Sequence, residues 1–116
     1  MKNTFTDITS VINEFIRERD WDQFQKPKDL ALSLVLEATE ILEHFQWKDE
    51  ASIKKHLVKN KDEIADEVAD TLWYLLKFAS VTKIDVEKAF YRKLAINKKK
   101  YSIEKSKGNN KKYTDL

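Results

Sequence analysis

The sequence predicts an all-α protein, a bundle of four main helices, and three observations point there. The 116 residues contain one Gly and one Pro. Hairpins need turn residues at nearly every reversal, so a sheet of any size has nothing to turn on. Apolar residues recur at helical spacing through four long stretches, and the pattern lapses only in short polar connections.

The first helix is expected from about Phe5 to Arg19, where Ile8, Val11, Ile12, Phe15 and Ile16 repeat at helical spacing and Thr4 with Asp7 is spaced as a capping box. "DWDQFQKPKDL" breaks the pattern. Pro27 suits the first turn of the second helix, with Asp29 near its positive end. That helix should cover Lys28 to Trp47. Leu30, Ala31, Leu34, Val35, Ala38, Ile41, Leu42 and Phe45 form a wide apolar face, with Leu32 and Leu36 on the other side. A helix apolar on two sides is either central or covered again by a partner chain.

"KDEASIKKHLVKNK" follows as a polar connection with room for a short helix around Ile53 and Leu57. The third long helix is expected from Asn60, with Glu63 completing a capping-box-like pair, to about Ser80; Ile64, Val68, Leu72, Leu75 and Ala79 make its core stripe. Asp85 is a good N-cap for the last helix, which should end near Tyr101. Residues 1–101 read as one helical domain and 102–116, "SIEKSKGNNKKYTDL", as a polar, mobile tail.

Composition narrows the function. With 22 basic and 20 acidic residues the net charge is +2, without the basic excess of a dedicated nucleic-acid binder. There is no cysteine, so thiolate metal sites are excluded. "MKNTFTDITS" lacks the apolar core of a signal peptide, and no apolar run reaches the length of a membrane span. A cytoplasmic protein with no membrane partner is the expectation.

Two helices carry the chemistry. "LVLEATEILEHFQW" (34–47) sets Glu37, Glu40 and Glu43 at three-residue intervals, where like charges repel. At about 100° per residue, Glu37 and Glu40 border the apolar face and Glu43 turns away. On the third helix Glu63, Glu67 and Asp70 form one strip that Tyr74 and Lys77 continue, with Asp66 at its edge. If the two helices pack side by side, Glu37, Glu40, Glu67 and Asp70 converge. Converged carboxylates cannot all stay ionised without a counter-charge. Oxygen-only ligands suit Mg²⁺ or Mn²⁺ rather than Zn²⁺, and such an ion keeps positions open for water and phosphates. Phosphoanhydride hydrolysis is the chemistry that follows.

On the last helix Lys93, Asn97, Lys100 and Tyr101 share a face with Val86 and Phe90, offering cationic and amide donors to a phosphate chain. Trp21, Phe24 and Trp47 stand at helix ends or in a connection, where flat rings can stack on a base. Plainer readings stand beside these. An acidic i, i+3 pair is most often a solvated face, the basic strip a helix C-terminus matching its dipole, the aromatic residues packing anchors, and Tyr74 a core cap with a wet hydroxyl. His44 and His56 have no partner His or Cys at ligand spacing and read as surface residues without a role.

"LEATEILEHFQW", "DEVADTLWYL" and "KLAINKKKY" resemble the MazG-like all-α nucleotide pyrophosphohydrolases, and within them the dCTP pyrophosphatase branch. The family pattern of ExxE, a spacer and ExxD is matched by Glu37-x-x-Glu40 and Glu67-x-x-Asp70. "ERDWDQFQKPKDLA" and the terminal "KKYTDL" extend the similarity over nearly the whole chain. The resemblance implies hydrolysis of a nucleoside triphosphate, dCTP or a related dNTP, to monophosphate and pyrophosphate. It makes Glu37, Glu40, Glu67 and Asp70 the Mg²⁺ ligands. Trp21, Asp22, Gln23, Phe24, Gln25, Trp47 and Tyr74 would line the nucleotide pocket, and Lys93, Asn97, Lys100 and Tyr101 would contact phosphates or sugar. It also implies a homo-oligomer, dimer or tetramer, with sites shared between subunits.

The departures fall on base recognition. "QFQ" with Gln25 stands where animal members read "QFH", Ile12 stands where they carry a His, and Ala38 and Thr39 replace a frequent Gly. The same chemistry on dUTP or modified nucleotides is therefore the first rival, and a non-catalytic oligomerisation or adaptor module is the second.

Overall fold

The structure, a computed structural model, describes residues 4–116. Among the described residues all regular structure is helical, as expected. There are six α-helices rather than four: α1 (Thr4–Glu18), α2 (Pro27–Glu43), α3 (Glu50–Lys59), α4 (Lys61–Val81), α5 (Val86–Lys100) and α6 (Ile103–Ser106). Single 3-10 turns lie at Asp22–Phe24 and Tyr113–Asp115. Of the added helices, α3 is the short helix for which the connection around Ile53 and Leu57 had room, and α6 lies in the stretch read as tail. Asp49 caps α3, accepting from the Ser52 N–H at 2.8 Å, and Ser102 caps α6 through the Lys105 N–H.

The chain divides into two units, one ending at Ile84 and one running Asp85–Leu116. In the first, α4 is the central element: α2 packs along most of it, and α1 and α3 also lie against it. Ile12, Ile16, Leu30, Leu76 and Ala79 form the buried apolar core, with Ile16 and Leu76 only 1% exposed. Each of the Ile and Leu side chains contributes about 1.5–3 kcal/mol by its burial.

With one glycine in the chain, the helices end on other residues. Asp20 after α1 and Lys83 after α4 adopt φ of 55° and 61°. The Trp21 N–H then reaches Ile16 O at 3.0 Å and the Ile84 N–H reaches Ala79 O at 2.9 Å. These are Schellman closures made without Gly. Pro27 opens α2, as its fixed φ predicts. Asn60 departs from expectation: it precedes α4 but makes no side-chain cap, because its amide is turned onto His56 instead.

Along α2, Leu32 and Leu36 are 54% and 63% exposed, which fits the second apolar side. Val35 and Leu42, assigned to the core face by periodicity, are nearly as open. Packing against α4 covers one narrow line of the helix and leaves a contiguous apolar surface. Among the described residues no helix is long and apolar enough to cross a membrane.

In the second unit, Asp85 caps α5 by accepting from the Lys88 N–H at 3.0 Å. The Tyr113 ring meets Tyr101 edge-on at 6.1 Å between centroids, and the Lys100 ammonium sits 4.5 Å over the same ring. The stretch read as a mobile tail therefore carries helix, turn and ring contacts of its own.

Candidate active site

The pairing of α2 with α4 brings the two acidic pairs together. Glu37 and Glu67 are half-buried, Glu40 and Asp70 exposed. Burial pushes the Glu37 carboxyl above the usual range, and the negative charges of Glu40, Asp70 and Glu67 push it further. All four carboxylates thus share one electrostatic neighbourhood, while Glu43 stays exposed beyond it. Glu37 Oε2 and Glu67 Oε2 are buried oxygens without a hydrogen-bond donor. Such atoms carry a full desolvation penalty unless something positive meets them.

The donor set fits a hard divalent cation, being all oxygen and excess in negative charge. Among the described residues no three carboxylate or imidazole side chains already stand as a closed ligand set.

Beside Glu37 and Asp70 opens a cavity of about 310 Å³, completed by Phe15, Trp73 and Tyr74. That is the small end of the range for ligand sites. Its aromatic wall is a packed cluster: Phe15 meets Trp73 edge-on at 5.2 Å and Trp21 at 5.9 Å. Tyr74, read from the resemblance as a pocket residue, is among those lining this cavity. Phe15 and Trp73 were not expected there, although Trp73 sits three residues after Asp70 and so shares its strip.

The other expected residues are placed variously. Trp21 is 44% exposed and Phe24 61% exposed. Gln23 and Gln25 give their amide N–H groups to the backbone oxygens of Asp20 and Trp21, at 3.0 and 3.1 Å, and so brace their own loop. Asp22 lies near enough to Lys77 for its charge to act on that ammonium. Trp47, at φ 69° and 94% exposed, is not among the residues lining the cavity. Lys93, Asn97, Lys100 and Tyr101 belong to the second unit, where Lys93 is exposed and Asn97 half-buried.

Lys77, which continued the acidic strip in sequence, is buried at 5% exposure. Its ammonium donates to Asn13 Oδ1 at 2.7 Å, and Asn13 Nδ2 donates to Ser80 Oγ at 3.3 Å. Burial lowers its pKa, and Asp22 partly offsets that.

The two histidines correct the surface reading. His44 Nε2 contacts Glu67 Oε2 at 2.5 Å, with the two side chains 12% and 23% exposed. The contact is a close approach of ring nitrogen to carboxylate and leaves Glu67 Oε2 without a hydrogen-bond donor. His44 Nδ1 is 2.7 Å from His56 Nε2, and His56 Nδ1 is 2.9 Å from Asn60 Nδ2. The signal was present: His44 follows Glu40 by four residues and Glu37 by seven, on the same helical face. A search for metal-ligand spacing overlooks a histidine whose partner is a carboxylate on another helix.

Residues 32–116 match the MazG-like family. The dCTP pyrophosphatase 1 of Rattus norvegicus is 38% identical over 115 residues, 97% of this chain and 68% of the relative. That of Homo sapiens is 35% identical over the same shares. A crystal structure of a pyrophosphatase from Archaeoglobus fulgidus is similar with a TM-score of 0.82 and 33% identity, covering 88% of this chain and 95% of that one. By family match, by identity across nearly its full length and by fold, the chain belongs to the MazG-like family.

Proposed function

We propose that the chain hydrolyses dCTP or a related deoxynucleoside triphosphate to the monophosphate and pyrophosphate, using Mg²⁺ or Mn²⁺ at Glu37, Glu40, Glu67 and Asp70. The broader statement rests on the family and its relatives: the chain is an enzyme of the nucleotide pyrophosphohydrolase type. The observation that carries the finer reading is the meeting of Glu37 with Glu40, Asp70 and Glu67 beside an aromatic-walled cavity.

When bound, a divalent cation supplies charge neutralisation and polarisation of a phosphoryl group. The residues supply the rest. Glu37 and Glu67 offer oxygens already stripped of water, so their interaction with a cation is stronger than at the surface. Trp73 and Phe15 form a rigid wall against which a base can lie. Tyr74 closes the cavity next to Asp70. Ile12, standing where animal members of the branch carry His, is 2% exposed and offers no polar contact to a base. dUTP and modified nucleotides therefore belong in the same trial.

The open surface of Leu32, Val35, Leu36 and Leu42 supports assembly with further copies of the chain. Leu36→Glu should lower the mass measured by light scattering to that of one chain. An unchanged mass would place the assembly surface elsewhere.

The activity is tested with a panel of nucleoside triphosphates and Mg²⁺, reading pyrophosphate release. Glu67→Gln and Asp70→Asn should abolish turnover while far-UV circular dichroism stays helical. Normal dCTP hydrolysis by either variant would sink the metal assignment.

A further inference from the structure

Asn60, His56, His44 and Glu67 form a string of polar contacts that ends on the acidic cluster, and its protons can be assigned in one way. An amide nitrogen donates and does not accept. Asn60 Nδ2 therefore donates across 2.9 Å to His56 Nδ1, which must be unprotonated. A neutral imidazole carries one N–H, so the His56 proton sits on Nε2 and is donated across 2.7 Å to His44 Nδ1. His44 in turn carries its proton on Nε2, 2.5 Å from Glu67 Oε2. Two hydrogen bonds and one close contact run in sequence, from the residue preceding α4, through α3 and the end of α2, to a carboxylate of α4. Burial and the nearby charges of Lys48 and Lys59 favour the neutral His56 that this order needs, against Glu63. Phe45 packs edge-on against the His56 ring at 6.3 Å and limits its rotation.

We propose that His44 is a positioning residue for Glu67, set in its donor tautomer by His56 and Asn60, and that this string holds the Glu67 side chain in the acidic cluster before a cation arrives. The inference rests on the reading of Glu67 as a cation ligand. A free glutamate has several rotatable bonds to immobilise on binding a cation. One already held against an imidazole nitrogen has less freedom left to lose. Partners that orient ligands in this way typically change metal affinity by about 10–100-fold when removed.

The test uses the full chain, with Mn²⁺ alone as the probe and apparent affinity read from the Mn²⁺ dependence of the melting temperature. His44→Leu should weaken Mn²⁺ binding roughly 10–100-fold. His44→Gln, which places an amide N–H near the lost Nε2, should restore most of it. His56→Leu should weaken binding in the wild-type background and have little effect beside His44→Gln, because an amide donor needs no tautomer set for it. Glu67→Gln serves as the reference. If Glu67→Gln binds Mn²⁺ as well as wild type, the metal reading itself fails. If Glu67→Gln loses binding while His44→Leu keeps it, the positioning role is overturned and the metal reading survives. Independently of any variant, ¹⁵N shifts of the imidazole nitrogens should place the proton of each ring on Nε2. A His44 proton on Nδ1 would overturn the proposal.

Discussion

Replacing Glu37 by Gln should move the metal-free and metal-bound proteins in opposite directions. In chelator, the folded state holds the Glu37 carboxyl against burial and against the charges of Glu40, Asp70 and Glu67. At neutral pH its ionised form therefore opposes folding, and a Gln of the same shape removes that opposition, so the metal-free melting temperature rises. With cation the sign reverses. For 116 residues, an unfolding entropy of about 2.1 cal/mol/K per residue sums to about 0.24 kcal/mol/K, so 1 kcal/mol moves the midpoint by about 4 °C. A cation at a hundred times its Kd stabilises the fold by about 2.7 kcal/mol, or about 11 °C. A hundredfold loss of affinity leaves about 0.4 kcal/mol at the same concentration, or about 2 °C. Paired thermal melts in EDTA and across a Mn²⁺ series measure both arms. If the variant melts at or below wild type in EDTA and keeps the full Mn²⁺ shift, the cluster is a solvated face.

Three further outcomes follow from named contacts. Lys83→Gly should raise stability by roughly 0.5–1 kcal/mol in urea denaturation, since a non-Gly left-handed residue costs about 1–2 kcal/mol and glycine's extra unfolded freedom returns about half of that; Lys83 has φ 61°. Burial, then Lys48 and His44, hold the His56 pKa below 6.5, so the unfolded chain takes up a proton first as pH falls. That stability is fully present above pH 6.5 and lost as pH drops below it towards the folded value. His56→Gln should flatten this limb in melts run in EDTA. Trp73→Leu keeps apolar bulk but removes the ring that Phe15 orients. With stacking on a base at about 1–3 kcal/mol, KM for the nucleotide should rise roughly tenfold while kcat changes less.

The helical class and the acidic pairs could be read from the chain because both depend on local periodicity. One Gly and one Pro leave no sheet turns, and i, i+3 spacing places Glu37 with Glu40 and Glu67 with Asp70 whatever packs around them. What escaped the reading depends on partners remote in sequence. Asn60 looks like a cap with Glu63, yet its amide is taken by His56. His44 looks solitary until α4 brings Glu67 against it. Val35 and Leu42 sit in the apolar stripe of α2, but α4 is too narrow to cover them. Lys77 continues an acidic strip and is nevertheless buried on Asn13. The short helix read around Ile53 and Leu57 is α3, and its start is set by the Asp49 cap.

The central claim is that the acidic meeting point of α2 and α4 cleaves a nucleoside triphosphate between its α- and β-phosphates. Product analysis of dCTP turnover with Mg²⁺ tests it most directly. One dCMP and one pyrophosphate per turnover are expected, with no orthophosphate and no products from Asp70→Asn. Orthophosphate as the product, or no turnover of any triphosphate in the panel by folded wild-type protein with Mg²⁺ or Mn²⁺, would contradict it.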